Sequence, residues 1–139
     1  MKKELIDKNP ILKLSFDFSV NVIAYTEQLE LLKRFNLSNQ LFRSGTSIGA
    51  NCMEAQNAES KADFIHKMKI AAKECEETQY WLLLCQHAKN YPDSEILLLK
   101  LEEIGKILSK ILQSSKRSNP LSFIWGTILF FVMSLISSR

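Results

Sequence analysis

Turn-forming residues are scarce. The chain of 139 residues has only 4 Gly and 3 Pro. A β-sandwich or a doubly wound α/β fold needs a turn every ten residues or so, and too few turn signals are present to build one. Histidine is scarcer still, with 2. Helical di-metal sites take paired Glu-x-x-His motifs from facing helices. Here only Asp63-x-x-His66 comes near that spacing, and it has no counterpart, so no metal and no cofactor are expected. The 3 Cys form no Cys-x-x-Cys pair, and all fall on apolar stripes. Buried, reduced, structural thiols are the expectation, in a cytoplasmic compartment. No Gly-rich phosphate loop opens a helix, and no Gly-x-Ser-x-Gly elbow is present. Cys85 and His87 are two apart, a spacing that does not bring side chains together on a helix. No catalytic residue is assigned, and an enzyme is not expected.

Charge of one sign is also missing. The net charge is +3, and no segment is strongly basic. A single copy therefore carries no electrostatic footprint for nucleic acid, although an oligomer can gather several modest patches about one axis. No signal peptide follows Met1-Lys2-Lys3-Glu4.

What is present is a heptad rhythm. Phe64, Met68, Ala71, Cys75, Thr78, Leu82 and Cys85 step 4, 3, 4, 3, 4, 3 along one helix face. Ile65, Ala72, Trp81 and Leu84 widen it. Lys67, Lys73, Glu74 and Glu77 lie on the other side, where Lys73 and Glu77 are spaced to pair. Ser60 through Asp63 reads as a capping box at its start. One helix earlier, Leu41, Gly45, Ile48, Cys52 and Ala55 keep the same step. Ser38 is the expected N-cap there, with Leu37 and Phe42 as a hydrophobic staple. Each Gly costs about 1 kcal/mol of helix propensity against Ala, so Gly45 and Gly49 together call for close contact with a neighbouring helix. Arg43, Ser47, Asn51 and Glu54 form a polar ridge. It reads either as an interhelical or solvated hydrogen-bonding face or as a contact surface for another subunit or a nucleic-acid phosphate.

In chain order, residues 1–8 are polar and expected to fray. Asn9-Pro10 starts a first helix that runs to about Lys33. Its stripe is Ile11, Phe18, Val22, Tyr25, Leu29 and Leu32, flanked by Leu12, Phe16 and Ile23 for a second neighbour. After the second and third helices, the cluster from Lys89 to Ser94 makes a turn, with Asp93 or Ser94 as cap. The fourth helix holds Leu97, Leu101, Ile104, Leu108 and Ile111 inside, and Lys100, Glu103, Lys106 and Lys110 outside. Four helices with short turns predict an all-α, antiparallel up-down-up-down four-helix bundle over residues 1–119.

Residues 120–139 form a separate hydrophobic C-terminal tail. No charged residue occurs from Pro120 to Ser138. Residues 121–136 are near the lower length limit for a membrane span, and Lys116-Arg117 would keep the bundle on the cytoplasmic side. Three readings stay open: a membrane anchor, a further helix packed on the bundle or into an oligomer, and an extension created by loss of an earlier stop.

The string Arg43-Ser44-Gly45-Thr46-Ser47-Ile48-Gly49-Ala50-Asn51, with Glu54-Ala55, Ser60, Asp63-Phe64, Lys67, Ile70-Ala71, Lys73-Glu74, Glu77-Thr78 and Tyr80-Trp81-Leu82, resembles the four-helix-bundle family of 23S rRNA intervening-sequence proteins. Asn9-Pro10, Phe16 and Phe18 fit its first helix, and the similarity spans roughly residues 8–115. The resemblance implies a small bacterial protein that assembles as a homo-oligomer, a pentameric barrel of bundles. Some members are encoded within insertions in large-subunit rRNA genes. A related protein, the accessory protein of diversity-generating retroelements, binds a reverse transcriptase and nucleic acid through a basic surface. Cys52-Met53 departs mildly from the family pattern, and the tail lies outside it.

The expected function is that of a non-enzymatic, oligomeric bundle that binds RNA or a nucleic-acid-processing partner such as a reverse transcriptase. Arg43, Lys67, Lys69 and Lys73 are the basic candidates. Ser47, Asn51, Glu54, Glu74, Glu77, Tyr80 and Trp81 are motif residues with structural roles. Tyr80-Trp81 admits a base-stacking reading, but packing on a neighbouring helix or subunit suits its spacing better. The alternative is a structural or membrane-tethered scaffold, with the membrane contact made by residues 121–136.

Overall fold

A computed structural model describes residues 2–117 and Leu135. Five helices follow in order: α1 (Lys2–Lys8), α2 (Pro10–Leu31), α3 (Phe35–Ala55), α4 (Lys61–His87) and α5 (Glu95–Arg117). No strand occurs among the described residues. The four long helices, α2 to α5, form an antiparallel bundle in which α2 and α4 each lie between α3 and α5. The tail assigned to residues 120–139 falls outside the described residues, Leu135 excepted. Among the described residues no helix is long and apolar enough to cross a membrane.

The heptad stripes become the core. Met68, Ala71, Cys75, Thr78, Leu82 and Cys85 of α4 are buried, as are Leu41, Gly45, Ile48, Cys52 and Ala55 of α3. Leu97, Leu101, Ile104 and Leu108 of α5 join them, and Ile111 is half-buried. Each such Leu, Ile, Met or Phe contributes about 1.5–3 kcal/mol by leaving water. The caps at Asn9 and Ser60 form as the sequence predicts. Asn9 Oδ1 accepts from the Ile11 amide at 3.2 Å, with Pro10 at the first helical position. Ser60 Oγ accepts from the Asp63 amide at 3.1 Å, and Asp63 takes the Glu59 amide at 3.2 Å.

Several local expectations fail. Residues 2–8 do not fray but form α1, where Lys8 pairs with Glu4 at 2.6 Å across one turn. Ser38 is not a cap. Helix α3 starts at Phe35, three residues earlier, because Lys33 adopts a left-handed φ of 60° and turns the chain at once. The Arg34 amide then reaches the Leu29 carbonyl and the Lys33 amide the Glu30 carbonyl, both at 2.8 Å, which closes the end of α2 as a glycine would. Ser38 is left inside the helix, buried against α2, with Oγ donating to the Thr26 carbonyl at 3.2 Å. The staple positions shift with the helix start, so Leu37 and Phe42 form no staple, and Phe42 is 47% exposed. Phe16, Ile23 and Leu32 also stay open, at 50%, 41% and 48%, since none of the other described helices reaches their flank of α2. At the α4–α5 turn Asp93 Oδ1 takes the Glu95 amide at 3.1 Å, while Ser94 Oγ ties back to the Leu82 carbonyl at 2.9 Å.

The two glycines of α3 face α2 at close range. A Cβ built on Gly45 would lie 3.0 Å from both methyls of Val22. One on Gly49 would lie 3.3 Å from the Ser15 carbonyl oxygen and from Ser19 Oγ. The hydroxyls on the α2 side are satisfied within their own helix, Ser15 on Ile11 and Ser19 on Ser15. The contact is therefore close. Gly105 of α5 differs, because its nearest neighbour for a Cβ is Cys75 Sγ at an ordinary 3.7 Å.

These distances predict opposite signs for one substitution. Gly45→Ala gains about 1 kcal/mol of helix propensity. It loses more by pressing on Val22, which is fully buried and stiff at χ1, with overpacking costing about 1–3 kcal/mol. Gly105→Ala keeps most of the propensity gain. Urea denaturation midpoints should fall for Gly45→Ala and rise for Gly105→Ala; the reverse order would contradict the packing described.

Candidate functional site

The polar ridge of α3 meets α4 along one seam. Arg43 stands at its centre. Its guanidinium pairs with Glu74 Oε2 at 3.3 Å through Nη1 and with Glu77 Oε1 through Nη2. Trp81 Nε1 donates to the same Glu77 oxygen at 3.2 Å, and Gln40 accepts from Arg43 at 3.5 Å. At the other end of the seam Lys67 Nζ pairs with Glu54 Oε2 at 2.7 Å. The hydrogen bond to Glu54 holds the Lys67 ammonium above its ordinary pKa. Ser47 and Asn51 bridge the interval by turning back onto α3, Ser47 Oγ to the Arg43 carbonyl at 2.6 Å and Asn51 Nδ2 to the Ser47 carbonyl at 2.8 Å.

The predicted pair between Lys73 and Glu77 does not form. Glu77 turns to Arg43 and Trp81 instead, where one oxygen serves two donors. A guanidinium fork between two partly buried carboxylates is a stronger arrangement than an exposed lysine one turn away. Glu74 and Glu77 keep 19% and 34% of their side-chain exposure, so removing the arginine leaves two half-desolvated like charges side by side.

The four basic candidates thus fall into two groups. Arg43 and Lys67 are committed to acids inside the chain. Lys69 and Lys73 stand exposed on α4, with no ion-pair partner among the described residues. Tyr80 is also outside, at 56%, and meets Trp81 edge to face with ring centroids 5.1 Å apart. Trp81 itself is half-buried against the core, which is the packing role its spacing suggests. Gln40 and the bond from Trp81 to Glu77 were not foreseen; the only sequence signals for them were spacings of three and four.

The remaining chemistry-bearing groups are not brought together. Cys85 is buried whereas His87 is exposed, with Nδ1 at 2.9 Å from the Leu83 carbonyl. Burial pushes the Cys52 thiol up to about 12 and Cys75 to about 11, and raises Cys85 as well. All three are therefore protonated packing groups at neutral pH, not nucleophiles. Among the described residues no three His, Cys, Asp or Glu side chains are placed to hold a metal ion. The seam pairs its two cations with three carboxylates, a set of contacts across α3 and α4 that fixes helix register.

A model of the 23S rRNA-intervening sequence protein family matches residues 7–110, a range that holds the whole seam. Among solved structures the chain is similar to a protein of unknown function from the S23 ribosomal protein family of Bacteroides thetaiotaomicron VPI-5482. The two share 40% identity and a TM-score of 0.70 over 73% of this chain and 97% of that one. No curated protein matches the chain.

The seam makes a direct prediction. Arg43→Ala should lower stability by about 1–2 kcal/mol, because it strands two half-buried carboxylates that the guanidinium had satisfied. Lys73→Ala should change it by less than about 0.5 kcal/mol, as for an ordinary surface position. Urea denaturation of both variants checks this, and equal effects would remove the distinction drawn between the two groups of cations.

Proposed function

The chain belongs to the 23S rRNA-intervening sequence protein family, and from that premise we propose that it is a non-catalytic bundle that works by assembling with copies of itself. One observation carries this reading. Arg43, Glu54, Lys67, Glu74, Glu77 and Trp81 of the motif pair with one another inside the chain, whereas large apolar side chains are left open at the end formed by the α2–α3 and α4–α5 turns. Leu31 is 85% exposed, Ile96 67%, Leu99 62% and Phe35 55%. The two turns are tied together there, by Tyr25 Oη donating to the Pro92 carbonyl at 2.7 Å and by the Arg34 guanidinium lying 5.0 Å over the Tyr91 ring. Large apolar side chains left exposed together at one end of a bundle are a usual mark of a protein–protein interface. Five copies is the number the family resemblance implies. The three protonated, buried thiols suit a reducing, cytoplasmic setting.

A second reading is RNA binding by that assembly, favoured by Lys69 and Lys73. Their charges are not paired among the described residues, and Tyr80 on the same helix offers a stacking face. Repetition around an axis multiplies two lysines per copy into a basic surface that a single copy lacks.

Sedimentation velocity tests the first reading. The wild-type chain should sediment as an oligomer at micromolar concentration, and Leu31→Glu/Ile96→Glu should sediment as a monomer with unchanged helical circular dichroism. A monomeric wild type would contradict the proposal. For the second, affinity for single-stranded RNA should fall with added salt, and Lys69→Ala/Lys73→Ala should flatten the logarithmic salt dependence by about 0.7 per lysine removed per copy. No binding at low salt would eliminate it.

A further inference from the structure

A second apolar surface lies toward the other end of the bundle, in the groove between α2 and α3. Phe16 and Met53 flank a cavity of about 190 Å³, floored by Ser15, Ser19 and Gly49. No charged residue lines it. Val20, 50% exposed, and Ile23, 41%, continue the α2 wall over the next two turns, and Phe42 extends the α3 side. The volume is below the roughly 300 Å³ at which small-molecule pockets begin, so the cavity fits an inserted side chain better than a free ligand. The groove exists because the small residues on its floor draw the two backbones together while the large residues on its rim remain unpartnered.

We infer that residues 121–136 of the same chain cover this groove. Three observations select that occupant. Helices alternate in direction, so α5 ends, at Arg117, at the end of the bundle where α2 begins and α3 finishes, and Asn9 Nδ2 marks that end by bonding Gln56 Oε1 at 3.4 Å. The chain continues from there into 19 residues, 120–138, that contain no charge, matching a groove that has none. The length suffices: even as a helix, the most compact regular form, 16 residues advance roughly 24 Å, against roughly 17 Å from Leu12 to Ile23 along α2. Tethering also gives the segment a local concentration in the millimolar range, which a separate partner has to match. The inference is independent of the assembly reading, whose surface lies at the opposite turns.

The test uses the full chain and a full-length variant, Ile128→Glu/Phe131→Glu, which keeps the length and spoils the apolar match. Carbene footprinting read by mass spectrometry reports the exposure of Phe16, Val20 and Phe42, with Tyr80 and Leu83 of α4, exposed and outside both apolar surfaces, as internal controls. Labelling of the three groove residues should rise roughly threefold in the variant, as about half-exposed side chains emerge from cover, with no change at the controls and no dependence on protein concentration. Equal labelling in both chains would show the groove bare and overturn the inference. Protection lost on dilution would assign the groove to another copy and overturn it as well. So would a full chain that co-sediments with phosphatidylcholine–phosphatidylglycerol vesicles while its groove labels as heavily as the variant's.

Discussion

The close approach of α3 to α2 at Gly45 and Gly49 sets the geometry of the bundle. Without side chains at these two positions, the backbone of α3 settles against Val22, Ser15 and Ser19. The glycines weaken α3 as an isolated helix by about 2 kcal/mol in sum, so α3 is stable only as a packed element. Its neighbours are thereby fixed. With α2 held on one flank, the stripe of Leu41, Ile48 and Cys52 points inward, and the ridge of Arg43 and Glu54 points at α4.

The seam between α3 and α4 then acts as a register device. A heptad stripe alone permits sliding by whole turns, because Met68, Cys75 and Leu82 present similar bulk at each repeat. Arg43 meets two carboxylates spaced three residues apart, and Lys67 meets Glu54, and both contacts are made together at one register only. Exposed ion pairs add little net stability. Their larger contribution here is the penalty on every other alignment, which would strand the half-buried acids. The long motif that identifies the family thus describes how two helices meet. The surfaces it leaves uncommitted are the apolar ones and the outer lysines of α4.

Periodic features were legible in the residues alone. The inward stripes, the caps at Asn9 and Ser60 and the need for contact at the paired glycines all follow from spacing within one helix, and a helix has one period. Features decided by a residue far along the chain were not legible. Glu77 has Lys73 one turn away and Arg43 34 positions away, and local spacing can propose only the first; the fork geometry of arginine decides for the second. Ser38 carries an ordinary cap signature, but Lys33 turns the chain earlier by taking a left-handed conformation usually left to glycine. Phe16 and Ile23 have the pattern of a second apolar stripe, and a pattern does not say whether the neighbour it needs is part of the same fold.

The dependence of the fold on the α2–α3 approach is tested most directly by a double-mutant cycle on Gly45→Ala and Val22→Ala. If methyl crowding sets the cost at Gly45, trimming Val22 makes room for the added carbon, and Gly45→Ala becomes neutral or stabilising in that background, with a coupling energy above about 1 kcal/mol. Additive free energies, with Gly45→Ala equally costly beside Val22 and beside Ala, would contradict the account.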